Sequence, residues 1–166
     1  SSPSMDIYRR YGPALVRKAT RLLGSQDDAL DVVQGLFTDL FERGVVDVEL
    51  PYLYRALTNR CLTMLRDRTT RARLLQRETR ALQPVARTRS DECVLGQDLL
   101  LKLVDRLDES TLEVLVYRYW DELDQTEIAN VMGVSRKTVV RRMATLREEL
   151  TALGALAAGG EELDHE

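Results

Sequence analysis

Histidine is almost absent from this chain of 166 residues, and its scarcity excludes several kinds of active site. The one histidine, His165, lies in an acidic stretch at the end of the sequence. Catalytic triads, histidine proton relays and histidine-ligated zinc sites all need an imidazole among other functional groups. The chain also has no glycine-rich phosphate-binding loop. We therefore expect no enzyme, no metal site and no cofactor.

Cysteine, aromatic residues and long apolar runs are scarce as well. The two cysteines, Cys61 and Cys93, have neither metal-ligand spacing nor a paired framework, so we expect reduced thiols. Aromatic residues make up 5% of the chain, which fits helices packed by Leu, Val and Ala better than a β-sandwich. No apolar run approaches the ~18 residues of a membrane span, and no signal peptide is recognisable. These absences predict a cytoplasmic protein without membrane insertion of its own.

The chain is rich in charge, and the charge is segregated although the formal net charge is only −3. Basic and acidic blocks alternate: +4 over 1–21, −6 over 22–50, +8 over 51–90, −8 over 91–133, +3 over 134–150 and −4 over 151–166. Arginine dominates the basic residues, and its planar fork fits phosphate and guanine edges. A net-acidic chain with two basic patches predicts a polyanion contacted at two places, and argues against indiscriminate coating of nucleic acid.

Nearly the whole sequence has the periodicity of helices, which predicts an all-α fold. Three helices are expected over 6–23, 26–43 and 51–80, and two more over 92–107 and 108–120, followed by two shorter ones. The stretch 83–91 combines a proline with polar residues and lacks periodicity, which indicates a linker. We expect two small helical domains, joined by a flexible linker and followed by a flexible tail: domain 5–80, linker 81–96, domain 97–153 and tail 154–166.

The strongest local motif, over residues 124–150, has the spacing of a helix-turn-helix. Asp124 with Glu127 resembles a capping box, Gly133 supplies a left-handed turn residue, and Ser135 caps the second helix. The second helix has one apolar stripe, formed by Val139, Met143, Leu146 and Leu150.

The opposite face of that second helix is basic or small at its N-terminal half: Arg136, Lys137, Thr138, Val140, Arg141 and Ala144. This is the part of a helix-turn-helix that enters the major groove of DNA. A solvated basic face on a plain helical hairpin is the alternative interpretation. The caps, the small Ala129 and the turn glycine all fall at the offsets of a helix-turn-helix, and this favours DNA recognition.

Residues 107–150 resemble region 4 of the extracytoplasmic-function class of bacterial sigma factors. The resemblance lies in Leu107-Asp108, Val114-Leu115, Glu127-Ile128-Ala129, Gly133, Thr138-Val139 and Arg141-Arg142. The N-terminal part resembles region 2 of the same family, in Leu22-Leu23-Gly24, the run 28–34, Phe37, the run 51–55, Asn59 and Arg66. Both regions occur in the family's order, and together they cover residues 6–80 and 97–150.

The resemblance implies a sigma factor that binds core RNA polymerase and directs sequence-specific promoter recognition and melting. It implies that Asp31, Val32 and Gln34 dock on the clamp helices of the largest polymerase subunit. It also implies two DNA sites. The melted upstream element would contact Arg55, Asn59, Arg60 and Arg66, and the distal duplex element would contact Arg136, Lys137, Thr138, Arg141 and Arg142, the last of these at phosphate. An anti-sigma factor is expected as a third partner.

Residues 45–50 would supply a pocket for a flipped base, with Tyr52 and Tyr54 as stacking or core residues. Three positions depart from the family pattern, and they leave the promoter sequence and the exact polymerase contacts open: Gly35, Tyr52 and Thr63. Two alternatives to the initiation factor stay open. A sigma-like decoy would bind an anti-sigma factor without promoter activity, and a plain helix-turn-helix repressor would leave the first 80 residues unexplained.

Overall fold

The computed structural model describes residues 3–78 and 91–154, which are helical and contain no strand. The all-α prediction is confirmed. The helices are α1 (Pro3–Leu23), α2 (Gln26–Glu42), α3 (Leu50–Glu78), α4 (Asp91–Leu103), α5 (Glu109–Leu115), α6 (Gln125–Met132) and α7 (Arg136–Ala152), with a π-helical turn at Val116–Trp120 after α5. We refer to residues 3–78 as the N-terminal half and to residues 91–154 as the C-terminal half.

The predicted ends of the first helices are confirmed by their capping contacts. Ser25 has an extended backbone, and its hydroxyl accepts a hydrogen bond from the Asp28 amide at 3.3 Å, so it is the N-cap of α2. Gly24 and Gly44 have φ values of 72°, a left-handed conformation that other residues adopt only with strain. Helix α3 begins at Leu50, one residue earlier than the sequence predicts.

The helix expected over 92–107 ends earlier, at Leu103. The reason is Asp108, whose carboxylate accepts a hydrogen bond from the Thr111 amide at 2.8 Å and caps α5. This hydrogen bond lowers the pKa of Asp108. An N-cap needs an extended backbone, so the preceding residues form a turn. The expected helix 108–120 is a short α-helix that continues into the π-helical turn, in which Asp121 N donates to Val116 O at 3.1 Å.

The predicted linker and tail fall largely outside the described residues. Residues 91–96 of the expected linker belong to α4, which begins at Asp91, and residues 81–90 lie outside the described part. Gly154, with a φ of 73°, is the last described residue after α7, so 155–166 also lie outside it.

Helices from both halves share one hydrophobic core. In the N-terminal half, α1 packs along α2, and α3 packs across both. Leu100 and Leu103 of α4, Leu112 and Leu115 of α5, and Leu146 of α7 belong to the same cluster as the core of the N-terminal half. A second, smaller cluster joins α5 and the π-helical turn to the helix-turn-helix and includes Val114, Tyr117, Ile128, Met132, Val139 and Met143. The two halves therefore lie in direct contact, with α3 against α5 and α6.

Candidate nucleic-acid interface

The helix-turn-helix is built as the sequence predicts. Asp124 and Glu127 form a complete capping box: the Glu127 amide donates to the Asp124 carboxylate at 2.8 Å, and the Asp124 amide donates to the Glu127 carboxylate at 3.0 Å. Gly133 ends α6 with a φ of 68°. Ser135 has an extended backbone and accepts a hydrogen bond from the Thr138 amide at 3.1 Å, so it caps α7. These caps fix where α7 begins relative to α6.

The outward face of α7 is basic and exposed. We call this surface the duplex face; it consists of Arg136, Lys137, Val140, Arg141 and Ala144, all of them exposed. The predicted apolar stripe on the other side of α7 is confirmed, because its four residues are buried. Gln125 is buried, and its side-chain oxygen accepts a hydrogen bond from Arg136 Nε at 3.2 Å, which orients that guanidinium. Lys137 and Arg141 have no side-chain hydrogen bond or ion pair with any described residue.

Two residues predicted for this surface lie at its edges instead. The Thr138 side chain is half-buried, and its hydroxyl shares a hydrogen bond of 2.9 Å with the Ser135 hydroxyl at the start of α7. Arg142 is also half-buried, and its Nε is buried without a hydrogen-bond partner among the described residues. Of the five residues predicted to contact the duplex, Arg136, Lys137 and Arg141 are therefore the three whose side chains are exposed.

A cleft of about 690 Å³ separates α2 from α3 and brings two predicted sites together. Its α2 wall carries Asp28 and Asp31, and its α3 wall carries Asn59, Arg60, Arg68 and Arg71. Asp31 and Gln34 are exposed on α2, as a docking site requires. Val32 does not fit that prediction well: it is 7% exposed, because its side chain faces the core of the N-terminal half.

Gly35 lies beside Arg60 in this cleft. A Cβ atom at Gly35 would lie 3.4 Å from a terminal nitrogen of Arg60, an ordinary van der Waals distance to the end of a flexible side chain. Arg60 donates to the Asp39 carboxylate at 2.9 Å. The position of Arg60 therefore does not depend on the glycine at position 35.

The four predicted contacts to melted DNA divide into two pairs. Asn59 and Arg60 line the cleft between α2 and α3. Arg55 and Arg66, in contrast, bind the C-terminal half: Arg55 Nε donates to Glu113 at 3.1 Å, and one Arg66 nitrogen donates to Glu109 at 3.1 Å. The spacing along α3 places Arg60 on a different side of the helix from Arg55 and Arg66.

The two candidate stacking residues also differ. Tyr52 is 48% exposed at the start of α3, next to the loop that carries the exposed Val46. Tyr54 is half-buried, and its ring stacks on Tyr117 with centroids 6.1 Å apart. Tyr52 is therefore available to a nucleobase, whereas Tyr54 packs between the two halves.

Comparisons with known proteins find matches to both halves of the chain. The family model of sigma-70 region 2 matches residues 7–71, and that of sigma-70 region 4 matches residues 103–150. The chain is 32% identical to the RNA polymerase sigma-E factor of Streptomyces avermitilis, over 87% of this chain and 83% of the relative. It is 31% identical to the RNA polymerase sigma-E factor of Streptomyces coelicolor, over 89% of this chain and 85% of the relative.

The chain belongs to the extracytoplasmic-function class of RNA polymerase sigma factors. It is an alternative sigma factor that directs promoter recognition. Membership of the family implies binding to core RNA polymerase and to promoter DNA. Sigma factors are regulators of transcription.

No helix in the described part of this sigma factor is both long and apolar enough to cross a membrane. Residues 3–78 and 91–154 contain no cluster of acidic, cysteine or histidine side chains that could hold a metal ion.

The sigma factor has a buried charge cluster that sequence reasoning missed. Lys18 of α1 forms an ion pair with Asp121, and the two side chains are 2% and 0% exposed. The Lys18 ammonium lies 4.0 Å from the ring centroid of Tyr54 and 5.2 Å from that of Tyr117. Burial lowers the pKa of Lys18, and the neighbouring Asp121 opposes this effect. Burial raises the pKa of Tyr54, and Asp121 raises it further.

The signal for this cluster was present in the sequence as charged residues inside apolar stripes. Lys18 stands in the stripe of α1 between Leu15 and Leu22, both of which are buried. Glu113 stands in the apolar helix α5 and is 2% exposed. A charge at a core position predicts a buried partner, although the partner itself comes from a distant part of the chain.

Proposed function

We propose that the duplex face binds the distal promoter element in the major groove. One observation supports this above all: exposed Arg136, Lys137 and Arg141 lie on the N-terminal half of a recognition helix whose position is fixed by three caps. Arginine and lysine donate to guanine O6 and N7, and each good bidentate contact contributes about 1–3 kcal/mol of discrimination. Thr138 and Arg142, at the edges of the face, contact phosphates.

Val140 gives the duplex face an apolar contact between its basic residues. It is 43% exposed and lies in α7 between Lys137 and Arg141. An exposed methyl group in the major groove identifies thymine, and small apolar side chains contact it. Val140 therefore adds a preference for thymine beside the bases that the arginines bind.

We propose that the melted promoter element binds to α3, through Asn59 and Arg60 in the cleft and through Arg55 and Arg66 on the side of α3 that faces the C-terminal half. Extruding a base costs a few kcal/mol, which stacking and a pocket offset. Exposed Tyr52 supplies the stacking surface, and the neighbouring loop supplies one wall of the pocket. Arginines along the same helix bind the phosphates and so stabilise the separated strand.

We propose that Asp31 and Gln34 bind the clamp helices of the largest polymerase subunit. Both are exposed on α2, and they lie in a block of the sequence that carries −6. The apolar residues on the buried face of α2 pack in the core, and Asp31 and Gln34 lie outside it. Val32 is 7% exposed, and its side chain packs α2 against the core of the N-terminal half.

Run-off transcription with purified core polymerase and a promoter library tests the proposed function directly. We expect defined start sites that core polymerase alone does not use. A chain that binds an anti-sigma factor yet gives no start site on any template is a decoy, and that result would contradict the proposal.

We also propose that the protein acts in the cytoplasm and that an anti-sigma factor regulates it, both on the ground of its family. Such a partner should abolish run-off transcription at a one-to-one ratio and should compete with core polymerase for the chain. Inhibition that persists with excess core polymerase would contradict competition.

A further inference from the structure

One buried polar side chain of the helix-turn-helix lies directly behind the duplex face. Gln125 is the first residue of α6, and it is 6% exposed. Its side-chain oxygen accepts a hydrogen bond from Arg136 Nε at 3.2 Å, and its side-chain nitrogen lies 3.9 Å from the sulfur of Met143. Because a thioether sulfur accepts only weakly, Arg136 is the strong partner of this amide among the described residues.

The chemistry of the guanidinium determines which atoms meet. Arginine has N–H donors in one plane and no acceptor, so the oxygen of Gln125 faces Arg136 and the NH2 group faces Met143. A hydrogen bond at Nε leaves the two terminal nitrogens of Arg136 for other partners. Neither of these nitrogens has a hydrogen bond or an ion pair with any described residue. The contact therefore holds the plane of the guanidinium and keeps its terminal fork open.

Helix caps fix both ends of this contact. Asp124, whose carboxylate caps α6, directly precedes Gln125, and Ser135, whose hydroxyl caps α7, directly precedes Arg136. Since Gln125 and Arg136 are each the first residue of a helix, the backbone position of each follows from the cap beside it. The hydrogen bond between them extends this order from the backbone to a side chain of the duplex face.

The other two cations of the duplex face have no such support. The side chains of Lys137 and Arg141 have no hydrogen bond or ion pair within residues 3–78 and 91–154. A long side chain that is free in solution loses rotamer freedom when it binds, and this loss weakens the contact. Arg136 has given up part of that freedom before DNA binds. A planar guanidinium held in one orientation fits the O6 and N7 atoms of guanine better than the edges of the other bases.

We propose that Gln125 is a positioning residue that sets the preference of the sigma factor for guanine at one base pair of the distal promoter element. Because Gln125 is buried, it acts without touching DNA, through the orientation of Arg136. Lys137 and Arg141 bind with less strictly fixed geometry. This inference rests on the proposed function of the duplex face, and it separates the residue that touches the base from the residue that sets the selectivity.

Gln125→Met tests the inference, because methionine has a similar unbranched length and lacks the amide. Arg136 is exposed, so water can replace the amide at its Nε, and the buried Met143 gains an apolar neighbour. No buried polar group is left unpaired, so the variant should fold, which circular dichroism checks. Gln125→Glu is the conservative variant, since it keeps an oxygen acceptor at nearly the same volume.

The matched control is Gln26→Met, the same substitution at the same kind of position. Gln26 is the first residue of α2, follows the N-cap Ser25, and is exposed without a side-chain hydrogen bond to any described residue. The probe is a labelled duplex of the distal element of a promoter selected by transcription, with each base pair replaced in turn. The position at which Arg136→Ala loses a guanine preference is the base pair that Arg136 contacts.

For Gln125→Met we expect the guanine preference at that base pair to fall about tenfold. Preferences at the other base pairs should stay within about twofold, and Gln125→Glu and Gln26→Met should keep all of them. The slope of log affinity against log salt concentration should not change in Gln125→Met, because the charge of Arg136 remains. In an Arg136→Ala chain, Gln125→Met should have no further effect, since Gln125 acts through that arginine alone.

Several results would overturn the inference. One is a folded Gln125→Met chain that keeps the guanine preference; another is a loss spread evenly over all base pairs, which would mean that Gln125 supports the whole recognition helix. Unfolding of Gln125→Met, or a further loss in the Arg136→Ala chain, would also assign Gln125 to the fold. An Arg136→Ala chain that keeps every base preference overturns the inference and leaves the other contacts of the duplex face in place. Failure of the proposed function gives a different result: the unmodified chain would bind the selected duplex and an unrelated duplex equally.

Discussion

Arg55 Nε donates a hydrogen bond to Glu113 Oε1 at 3.1 Å, and this contact joins α3 to the half that carries the helix-turn-helix. The Tyr117 hydroxyl donates to the same carboxylate oxygen at 3.0 Å. Because Glu113 is 2% exposed, its carboxylate depends on these donors in place of water. A side chain proposed to bind DNA therefore also satisfies a buried acid in the free chain.

The buried pair of Lys18 and Asp121 should dominate the stability of the contact between the halves. Asp121→Ala leaves a buried cation without its partner, and we expect a loss of about 3–5 kcal/mol in the free energy of unfolding, measured by urea denaturation. Glu149→Ala is the control, because its pair with Arg106 is partly exposed and should contribute at most about 1 kcal/mol. Similar losses for both variants would show that Asp121 has no special role.

Arg141→Ala should weaken binding to the distal promoter duplex by about 1–3 kcal/mol, since it removes one base contact. Affinity for core polymerase should not change, because Arg141 is exposed on α7 and the proposed polymerase contacts lie on α2. Fluorescence anisotropy with labelled duplex and labelled core polymerase measures both. The control Arg9→Ala removes an equal charge from exposed α1 and should leave duplex binding intact. Parallel loss of both affinities would contradict the assignment of Arg141.

Asp31→Ala and Gln34→Ala should each weaken binding to core polymerase without lowering the melting temperature, because both side chains are exposed. Thr38→Ala, exposed further along α2, is the control and should bind polymerase normally. A clear fall in melting temperature for either variant would mean that the residue stabilises the fold, and its docking role would then be rejected.

Duplex binding should fall steeply as salt increases, because neutralised phosphates release counterions. A plot of log affinity against log salt concentration should be linear, and Arg142→Ala should reduce its slope by about 1, because that arginine is proposed to contact a phosphate. An unchanged slope would contradict the phosphate contact of Arg142. A flat plot for the unmodified chain would contradict the basic duplex face as a whole.

The reactivity of Cys61 should report on the core of the N-terminal half. Burial raises the pKa of the Cys61 thiol to about 12, so only a small fraction is thiolate at neutral pH. In a Cys93→Ser chain, alkylation of the folded protein should increase about tenfold per unit from pH 7 to 10, as the thiolate fraction does. For the chain unfolded in urea, the alkylation rate should stop rising with pH near the ordinary pKa of a thiol. If the alkylation rate of the folded chain stops rising at the same pH, Cys61 is not a buried, protonated thiol.

Much of the fold could be predicted from local sequence patterns. Ser25, Asp124, Gly133 and Ser135 determine helix ends through contacts with residues three or four positions away, so the sequence contains the whole interaction. The end of α4 was predicted less well, because Asp108 caps the next helix and stops the previous one at Leu103. Periodicity alone does not show where one helix ends and the next begins when the residues between them fit the pattern of both.

The contact between the halves could not be predicted in the same way. Lys18 and Asp121 are 103 residues apart in sequence, and Arg55 and Glu113 are 58 apart. Charged residues at core positions indicate that a partner exists, but many acids could pair with a given cation. The sequence therefore predicted Arg55 and Arg66 as DNA contacts and left open whether the domains are packed together.

Run-off transcription with purified core polymerase and a promoter library tests most directly whether the chain directs initiation at promoters. We expect defined start sites that depend on the chain, and we expect Arg136→Ala with Arg141→Ala to remove them, while Arg9→Ala leaves them in place. A chain that gives core polymerase no start site on any template, or a double variant that keeps every start site, would contradict the proposed function.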